Sequence, residues 1–311
     1  MQSSKSYFLG VAAIIIASTI WGTTGTAATF APAVSAAAIG AAAMGLGGLA
    51  QAAIALRGIV SARKAIVDQW RILMLGAVCV AIYPLAFYAS MRMAGVTIGT
   101  VISLGSAPLL SAGIEYRQSG FRPSLRWLAG ATVGIIGMVL LSLSEHSGSP
   151  AASAEGATLI GALLGLVAGL TYALYSTCAR QLMQGGISST TAMGATFGIG
   201  GVLLMPVLIA TGGPFLDSWN NAAVGLYMAF VPMFLGYVCF GYGLSRIETS
   251  VATTITLFEP VVAAFLAVVI VGERLSVFGW FGVLLVIICL ICITIPARSQ
   301  RNHLEIPEPS T

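Results

Sequence analysis

Residues 249–275 read TSVATTITLFEPVVAAFLAVVIVGERL. Between positions 249 and 271 this stretch carries one charged side chain, Glu259. Because an α-helix needs about 20 mostly apolar residues to cross a bilayer, the stretch predicts a membrane-spanning helix. Glu259 and the proline that follows it, Pro260, lie near the middle of that helix.

The composition of the whole chain extends this prediction beyond one helix. Of its 311 residues, 14 are Lys or Arg and 10 are Asp or Glu, so that 8% are charged, against about 25% in a soluble domain. The mean hydropathy is +0.96. So few charges cannot form a water-facing surface, which excludes a soluble enzyme, a nucleic-acid-binding protein and a disordered protein. We therefore expect the lipid bilayer to surround this chain.

Breaks at charges, at Gly and Pro pairs and at polar clusters divide the sequence into ten apolar runs, each long enough for one membrane-spanning helix. The runs lie at approximately 8–30, 34–56, 70–91, 97–115, 124–144, 157–182, 189–211, 220–245, 249–271 and 277–295, with boundaries uncertain by about 2–4 residues.

The second half of the sequence repeats the first at an offset of 152 residues. The identical pairs are Pro108 with Pro260, Gly120 with Gly272, Arg122 with Arg274, Ser124 with Ser276 and Gly130 with Gly282. We therefore predict two five-helix units, 1–148 and 149–296, followed by a polar cytoplasmic tail, 297–311. Because five is odd, the two units enter the membrane from opposite sides. That is the inverted repeat of secondary transporters, whose substrate site lies between the repeats.

Positive residues indicate the orientation of the helices. If the N-terminus is cytoplasmic, 12 of the 14 Lys and Arg residues fall on the cytoplasmic side, and Arg92 and Arg274 fall outside. Membrane proteins concentrate Lys and Arg in their cytoplasmic loops. We therefore expect both termini to be cytoplasmic.

Several short motifs carry a resemblance to a known family. They are Ile20-Trp21-Gly22, Phe87-Tyr88-Ala89, Leu109 after Pro108, and Phe258-Glu259-Pro260-Val261 followed by Gly272-Glu273-Arg274-Leu275. The first half departs from the pattern at Gly120-Phe121-Arg122, where the family has Gly-Glu-Arg. Over its whole length the chain resembles the ten-helix EamA type of the drug/metabolite transporter superfamily, and within it the YddG-type exporters of aromatic and other amino acids. The resemblance implies an all-α bundle of two inverted lobes around a central cavity, in the cell inner (plasma) membrane.

The side chains inside the runs indicate the charge of the substrate. A carrier of phosphorylated substrates needs Lys or Arg at membrane depth, because a buried charge without a partner is costly, and no Lys or Arg lies in the middle of a run. A neutral, zwitterionic or weakly cationic substrate is therefore expected, held by aromatic rings and hydroxyls. The candidate substrate-binding residues are Trp21, Tyr83, Phe87, Tyr88, Ser103, Tyr172, Tyr175, Tyr237 and Thr256. Packing or lipid contact is the alternative for the aromatic residues, and helix–helix hydrogen bonding is the alternative for Ser103 and Thr256.

Prolines inside the runs are candidates for helix kinks or gates, since each removes a backbone hydrogen bond. They are Pro84, Pro108, Pro232 and Pro260. We expect Glu259 to be the only acid at membrane depth, either as a coupling site that binds a proton or as a structural acid that accepts hydrogen bonds around the kink. The structural role is favoured, because no second acid, His or Lys is available there to form a proton relay.

Together these patterns predict a secondary transporter that exports neutral or aromatic amino acids and related hydrophobic metabolites by alternating access. Efflux of lipophilic drugs or cations and proton-coupled antiport through Glu259 are the alternatives. The sequence holds no catalytic or metal-binding constellation, so we expect neither an enzyme nor a cofactor. Glycines four residues apart, such as Gly161, Gly165 and Gly169, predict packing seams inside one bundle. A monomer is therefore favoured, and a dimer is left open.

Single cysteines introduced into a variant without the five native cysteines test the orientation. Thiols at Ser147 and Asp217 should react with a membrane-impermeant maleimide added outside the cell. Thiols at Lys64 and Ser119 should react only after the membrane is opened, because we place them in cytoplasmic loops. The opposite pattern at two of these sites would contradict the orientation.

Overall fold

The computed structural model describes residues 4–120, 123–145, 155–272 and 275–294. Over these ranges the chain is almost entirely helical and has no β-strand. Ten of the described segments are long and apolar enough to cross a membrane. They are α1 (Lys5–Thr29), α2 (Ala36–Ser61), α3 (Trp70–Ala94), α4 (Ile98–Gln118), α5 (Leu125–Leu143), α6 (Gly156–Gln184), α7 (Ser189–Thr211), α8 (Trp219–Leu244), α9 (Thr249–Ile270) and α10 (Val277–Thr294). The predicted all-α fold is confirmed, and each predicted run overlaps one helix.

Most helix ends agree with the predicted runs to within a few residues. The largest difference is at α2, which continues to Ser61. Its last turns include Arg57, whose long side chain can carry its charge to the membrane interface while the helix continues. The predicted boundary near 148, the tail 297–311, and the motif residues Phe121, Arg122, Glu273 and Arg274 lie outside the described residues.

The helices of the two halves pack against each other in a symmetric pattern. Helix α2 contacts α7, α4 contacts α9 and α5 contacts α10, and each of these pairs joins a helix to its counterpart in the other half. The contact of α1 with α8 has its equivalent in the contact of α6 with α3. Exchanging the halves therefore leaves the set of contacts unchanged, as expected for two inverted five-helix repeats.

Glycines allow the closest of these contacts. A Cβ atom at Gly161 of α6 would lie 2.5 Å from the backbone nitrogen of Ala94 in α3. The Ser90 hydroxyl donates a hydrogen bond to the Gly161 carbonyl at 2.7 Å across the same seam. Gly165 and Gly169 continue the contact along α6 toward α3 and α4. The predicted intramolecular packing seam is confirmed for this ridge.

Three of the helices change type or break along their length. Helix α1 is interrupted at Gly22, where a Cβ atom would lie 2.6 Å from the Val262 side chain of α9. Helix α8 contains a π-helical segment, Ala229–Leu235, that includes Pro232. Helix α9 contains a 3-10 segment, Thr256–Phe258, immediately before Glu259 and Pro260.

The other two candidate prolines leave their helices unbroken. Pro84 lies inside the continuous α-helix Trp70–Ala94, and Pro108 lies inside Val96–Ser119. A change of helix type thus accompanies Pro260 but not its repeat equivalent, Pro108. Burial does not account for the difference, because both prolines are buried.

The seam predicts how two glycine substitutions differ. Gly161→Ala should lower the free energy of unfolding by about 1–3 kcal/mol, because the added methyl group presses on the α3 backbone. Gly113→Ala in α4 is the matched control, since no atom lies within 4 Å of its added Cβ atom. Thermal unfolding in detergent measures both. Equal melting temperatures for the two variants would contradict the close packing of α6 on α3.

Candidate functional site

A cavity lies between the two halves, where α1, α2, α3, α6, α8 and α9 approach one another. Its walls are formed by Trp21, Thr24, Gly40, Ala43, Met44, Tyr83, Pro84, Phe87, Tyr88, Tyr172, Met233, Tyr237 and Glu259. The centres of water-sized molecules can occupy about 50 Å³ of it, which is room for roughly four water molecules. In this conformation the cavity therefore suits a small molecule better than a large one.

Six of the thirteen lining residues are aromatic. Tyr83 and Phe87 lie one helical turn apart on α3, and their rings stack with centroids 5.7 Å apart. The Tyr83 ring also lies 5.6 Å from that of Tyr172 on α6. On the opposite side, Trp21 of α1 lies 4.7 Å from Tyr237 of α8. The structure thus brings six of the nine candidate substrate residues to the cavity: Trp21, Tyr83, Phe87, Tyr88, Tyr172 and Tyr237.

Two further candidates lie behind the wall and hold it in place. The Tyr175 and Tyr237 hydroxyl oxygens are hydrogen-bonded at 2.7 Å. The Tyr172 hydroxyl donates to the hydroxyl oxygen of Thr256 at 3.1 Å. Tyr175 and Thr256 therefore fix the direction of wall hydroxyls and do not themselves line the cavity.

Ser103 was expected at the substrate site, and in this structure it lies apart from the cavity. Its side chain is fully buried, and the residue is not part of the cavity wall. A Cβ atom at Gly169 of α6 would lie 2.7 Å from the Ser103 carbonyl oxygen. Ser103 thus belongs to the α4–α6 packing seam, because the glycine lets the two backbones approach.

Trp21 joins the two halves at the cavity. Its indole Nε1 donates a hydrogen bond to the Pro232 carbonyl oxygen in the π-helical segment of α8 at 2.9 Å. A Cβ atom at Gly236 would lie 2.5 Å from that nitrogen, so the close approach requires glycine there. The irregular turn of α8 therefore has its free carbonyl satisfied by a cavity side chain.

Three polar groups of the wall lack a partner among the described residues. No hydrogen bond or ion pair joins the Glu259 carboxylate, or the hydroxyls of Tyr83 and Tyr88, to any residue that the structure describes. Glu259 therefore lacks the hydrogen-bond donors that its expected structural role requires. A charged carboxylate at the centre of a membrane helix costs about 2.5–3.5 kcal/mol on insertion scales. A proton or a cationic group entering the cavity would remove that cost.

A second acid, Glu115, is buried near the end of a membrane-spanning helix. Glu115 lies in α4 with 5% of its surface exposed. Its carboxylate accepts hydrogen bonds from the backbone nitrogens of Thr249 at 2.5 Å and Ser250 at 3.3 Å. The predicted fourth run ended at this residue, so its depth was missed. The signal available in the sequence was Ser111, a polar residue one turn earlier on the same helix face.

Comparison with known proteins agrees with this architecture. The EamA-like transporter family matches the chain twice, over residues 8–143 and 159–295. The uncharacterized transporter YwfM of Bacillus subtilis (strain 168) is 30% identical over 93% of this chain and 95% of its own length. The threonine/homoserine exporter RhtA of Salmonella typhimurium (strain SL1344) is 25% identical over 67% of this chain and 68% of its own.

One solved crystal structure superposes with a TM-score of 0.74 and 17% identity, covering 98% of this chain and 100% of that one. At this identity the likeness shows the shared fold alone. The narrower resemblance to YddG-type exporters stays a prediction. The two family matches cover most of the sequence, and the chain belongs to the EamA-like transporter family of membrane transporters.

Proposed function

We propose that this protein is a secondary transporter that exports small neutral amino acids across the inner membrane by alternating access. The observation that carries the proposal is the set of unpartnered groups in the cavity, one carboxylate and two phenolic hydroxyls. No Lys or Arg is among the described residues that line it. An acid and two hydroxyl donors in an aromatic pocket complement a zwitterion.

Each part of an amino acid has a matching group in this cavity. The α-ammonium group pairs with the Glu259 carboxylate and lies against aromatic faces, which attract cations. The α-carboxylate accepts hydrogen bonds from the hydroxyls of Tyr83 and Tyr88. The side chain contacts Phe87 and Met44, which offer apolar surface.

The size of the cavity supports small amino acids as the first substrates to test. Its volume corresponds to a few water molecules, so a large aromatic side chain would require the rings of Tyr83 and Tyr172 to move apart. The relative RhtA is named for the export of threonine and homoserine, both small and neutral. Aromatic amino acids remain in the proposal as larger substrates of a more open conformation.

Efflux of lipophilic cations is the second candidate function. An unpaired acid surrounded by aromatic rings is the arrangement that recognises organic cations, and Glu259 would then be the countercharge. The two candidates differ in the need for hydroxyl donors, because a lipophilic cation has no carboxylate for Tyr83 and Tyr88 to bind. Competition by tetraphenylphosphonium for threonine transport in liposomes distinguishes them.

Removing single hydroxyls tests the amino-acid proposal. Tyr83→Phe and Tyr88→Phe should each weaken threonine transport by roughly 10- to 100-fold, because each loses a hydrogen bond to a charged group worth about 1.5–3 kcal/mol. Uptake of labelled threonine, homoserine and phenylalanine into liposomes measures the effect. Tyr116→Phe is the control, since Tyr116 is 51% exposed. Two further wall variants, Trp21→Ala and Tyr172→Ala, should also lower transport more than they lower expression. If all four wall variants transport threonine normally, the cavity is not the substrate site.

Glu259→Gln tests the role of the acid. The variant keeps hydrogen-bonding capacity, but it cannot titrate and loses the charge that pairs with the α-ammonium group. We therefore expect it to keep weakened downhill exchange and to lose accumulation driven by a proton gradient. Parallel measurements in liposomes with and without an imposed pH difference separate the two activities. Asp217→Asn, a change of the same kind in an exposed loop, should accumulate substrate normally. Gradient-driven accumulation by the Glu259→Gln protein would restore the structural role.

A further inference from the structure

Two charged side chains tie four helices together at one end of the bundle. The Glu115 carboxylate of α4 accepts the backbone N–H groups of Thr249 and Ser250, which begin α9. Arg180, near the end of α6, donates hydrogen bonds to the carbonyl oxygens of Leu244 (2.9 Å) and Ile247 in the turn between α8 and α9. Its guanidinium also lies 2.8 Å from the Glu248 carboxylate.

We propose that Glu115 and Arg180, with the turn and helix start that they bind, form a latch that closes this end of the transport path. The proposal rests on the proposed transport function. In the opposite conformation the latch releases the start of α9 and opens the path. In the orientation that we propose from the positive residues, the latch faces the cytoplasm.

The route between the latch and the cavity is closed in this structure. Glu259, the cavity residue of α9, follows Thr249 by ten positions, which is about 15 Å along the helix. Over this distance Thr253 and Ser111 form a hydroxyl–hydroxyl hydrogen bond of 3.3 Å, and both side chains are fully buried. The Thr256 hydroxyl then accepts from Tyr172 in the cavity wall. A line of hydrogen-bonding side chains on one face of α9 thus joins the latch to the cavity.

The contacts are of a kind that water can reverse. A carboxylate on the free N–H groups of a helix start forms charge-assisted hydrogen bonds, which are strong where water is excluded. When water enters, it solvates both the carboxylate and the N–H groups, so the same contacts lose most of their net value. A latch of this type is stable in the dry, closed state and separates without leaving a buried charge unpaired.

The repeat does not carry the Glu115 carboxylate into the second half of the chain. The repeat offset places Ala267 at the position equivalent to Glu115. The carboxylate that binds the start of α9 therefore has no equivalent in the second repeat, which favours the conformation closed at the latch.

Thiol accessibility tests the latch without any substrate. In a protein lacking native cysteines, Thr253→Cys is the reporter, because Thr253 is fully buried between the latch and the cavity. Adding Glu115→Gln should raise its rate of reaction with a small charged thiol reagent, applied from the cytoplasmic side, by about tenfold, the factor by which the open fraction increases. Glu248→Gln should change the rate less than about twofold, because that ion pair is partly exposed and contributes little.

Two outcomes would overturn the latch. One is an unchanged reaction rate of the thiol at position 253 in the Glu115→Gln protein. The other is that Glu115→Gln raises the reaction rate equally at a cysteine far from the latch. The control for this outcome is a protein that keeps Cys289 as its only cysteine. Cys289 is fully buried against Gly134 between α5 and α10. Neither outcome depends on which molecule is transported. Failure of the amino-acid assay therefore leaves the latch standing, and failure of the latch leaves the substrate proposal standing.

Discussion

The hydrocarbon core of a membrane offers no hydrogen-bonding partner, so polar groups at that depth must find partners inside the protein. Regular helices satisfy their own backbones, and most of this chain consists of them. Where a helix is irregular, a side chain supplies the missing partner, as Trp21 does for the Pro232 carbonyl. The irregular turns of α8 and α9 are therefore tolerated next to the cavity, where polar side chains are within reach.

The same constraint separates the two acids of the membrane-spanning helices. Glu115 is almost fully buried, and its carboxylate accepts hydrogen bonds from two backbone N–H groups at the start of α9. This carboxylate therefore has partners inside the protein. Glu259 lines the cavity and is joined to no described residue by a hydrogen bond or ion pair. A carboxylate that lines a cavity without a partner among the described residues is available to bind a ligand or a proton. On the proposed function, the α-ammonium group of the substrate is that ligand for Glu259.

The features that depend on a single helix could be predicted from the sequence. Helix positions followed from hydropathy, because the thickness of the bilayer fixes the length of each helix. The grouping of Tyr83 with Phe87 followed from helical periodicity, since residues four apart share a face. The position of Ser103 and the depth of Glu115 did not follow, because both depend on which helix faces α4. That choice is made by glycines on other helices, such as Gly169, and it is not visible in the sequence around α4 itself.

The two halves of the bundle have equivalent helix contacts but different charged residues. The helix contacts are unchanged when the halves are exchanged, so two conformations related by the pseudo-two-fold axis would have similar packing energies. The charges break this equivalence: the positions equivalent to Glu259 and Glu115 are Ala107 and Ala267. Both acids act on α9, one in its middle and one at its start, and α4 carries no equivalent of Glu259. On the proposed alternating-access mechanism, the repeat supplies two conformations of comparable stability, and on the latch proposal the charged contacts of α9 determine which is occupied.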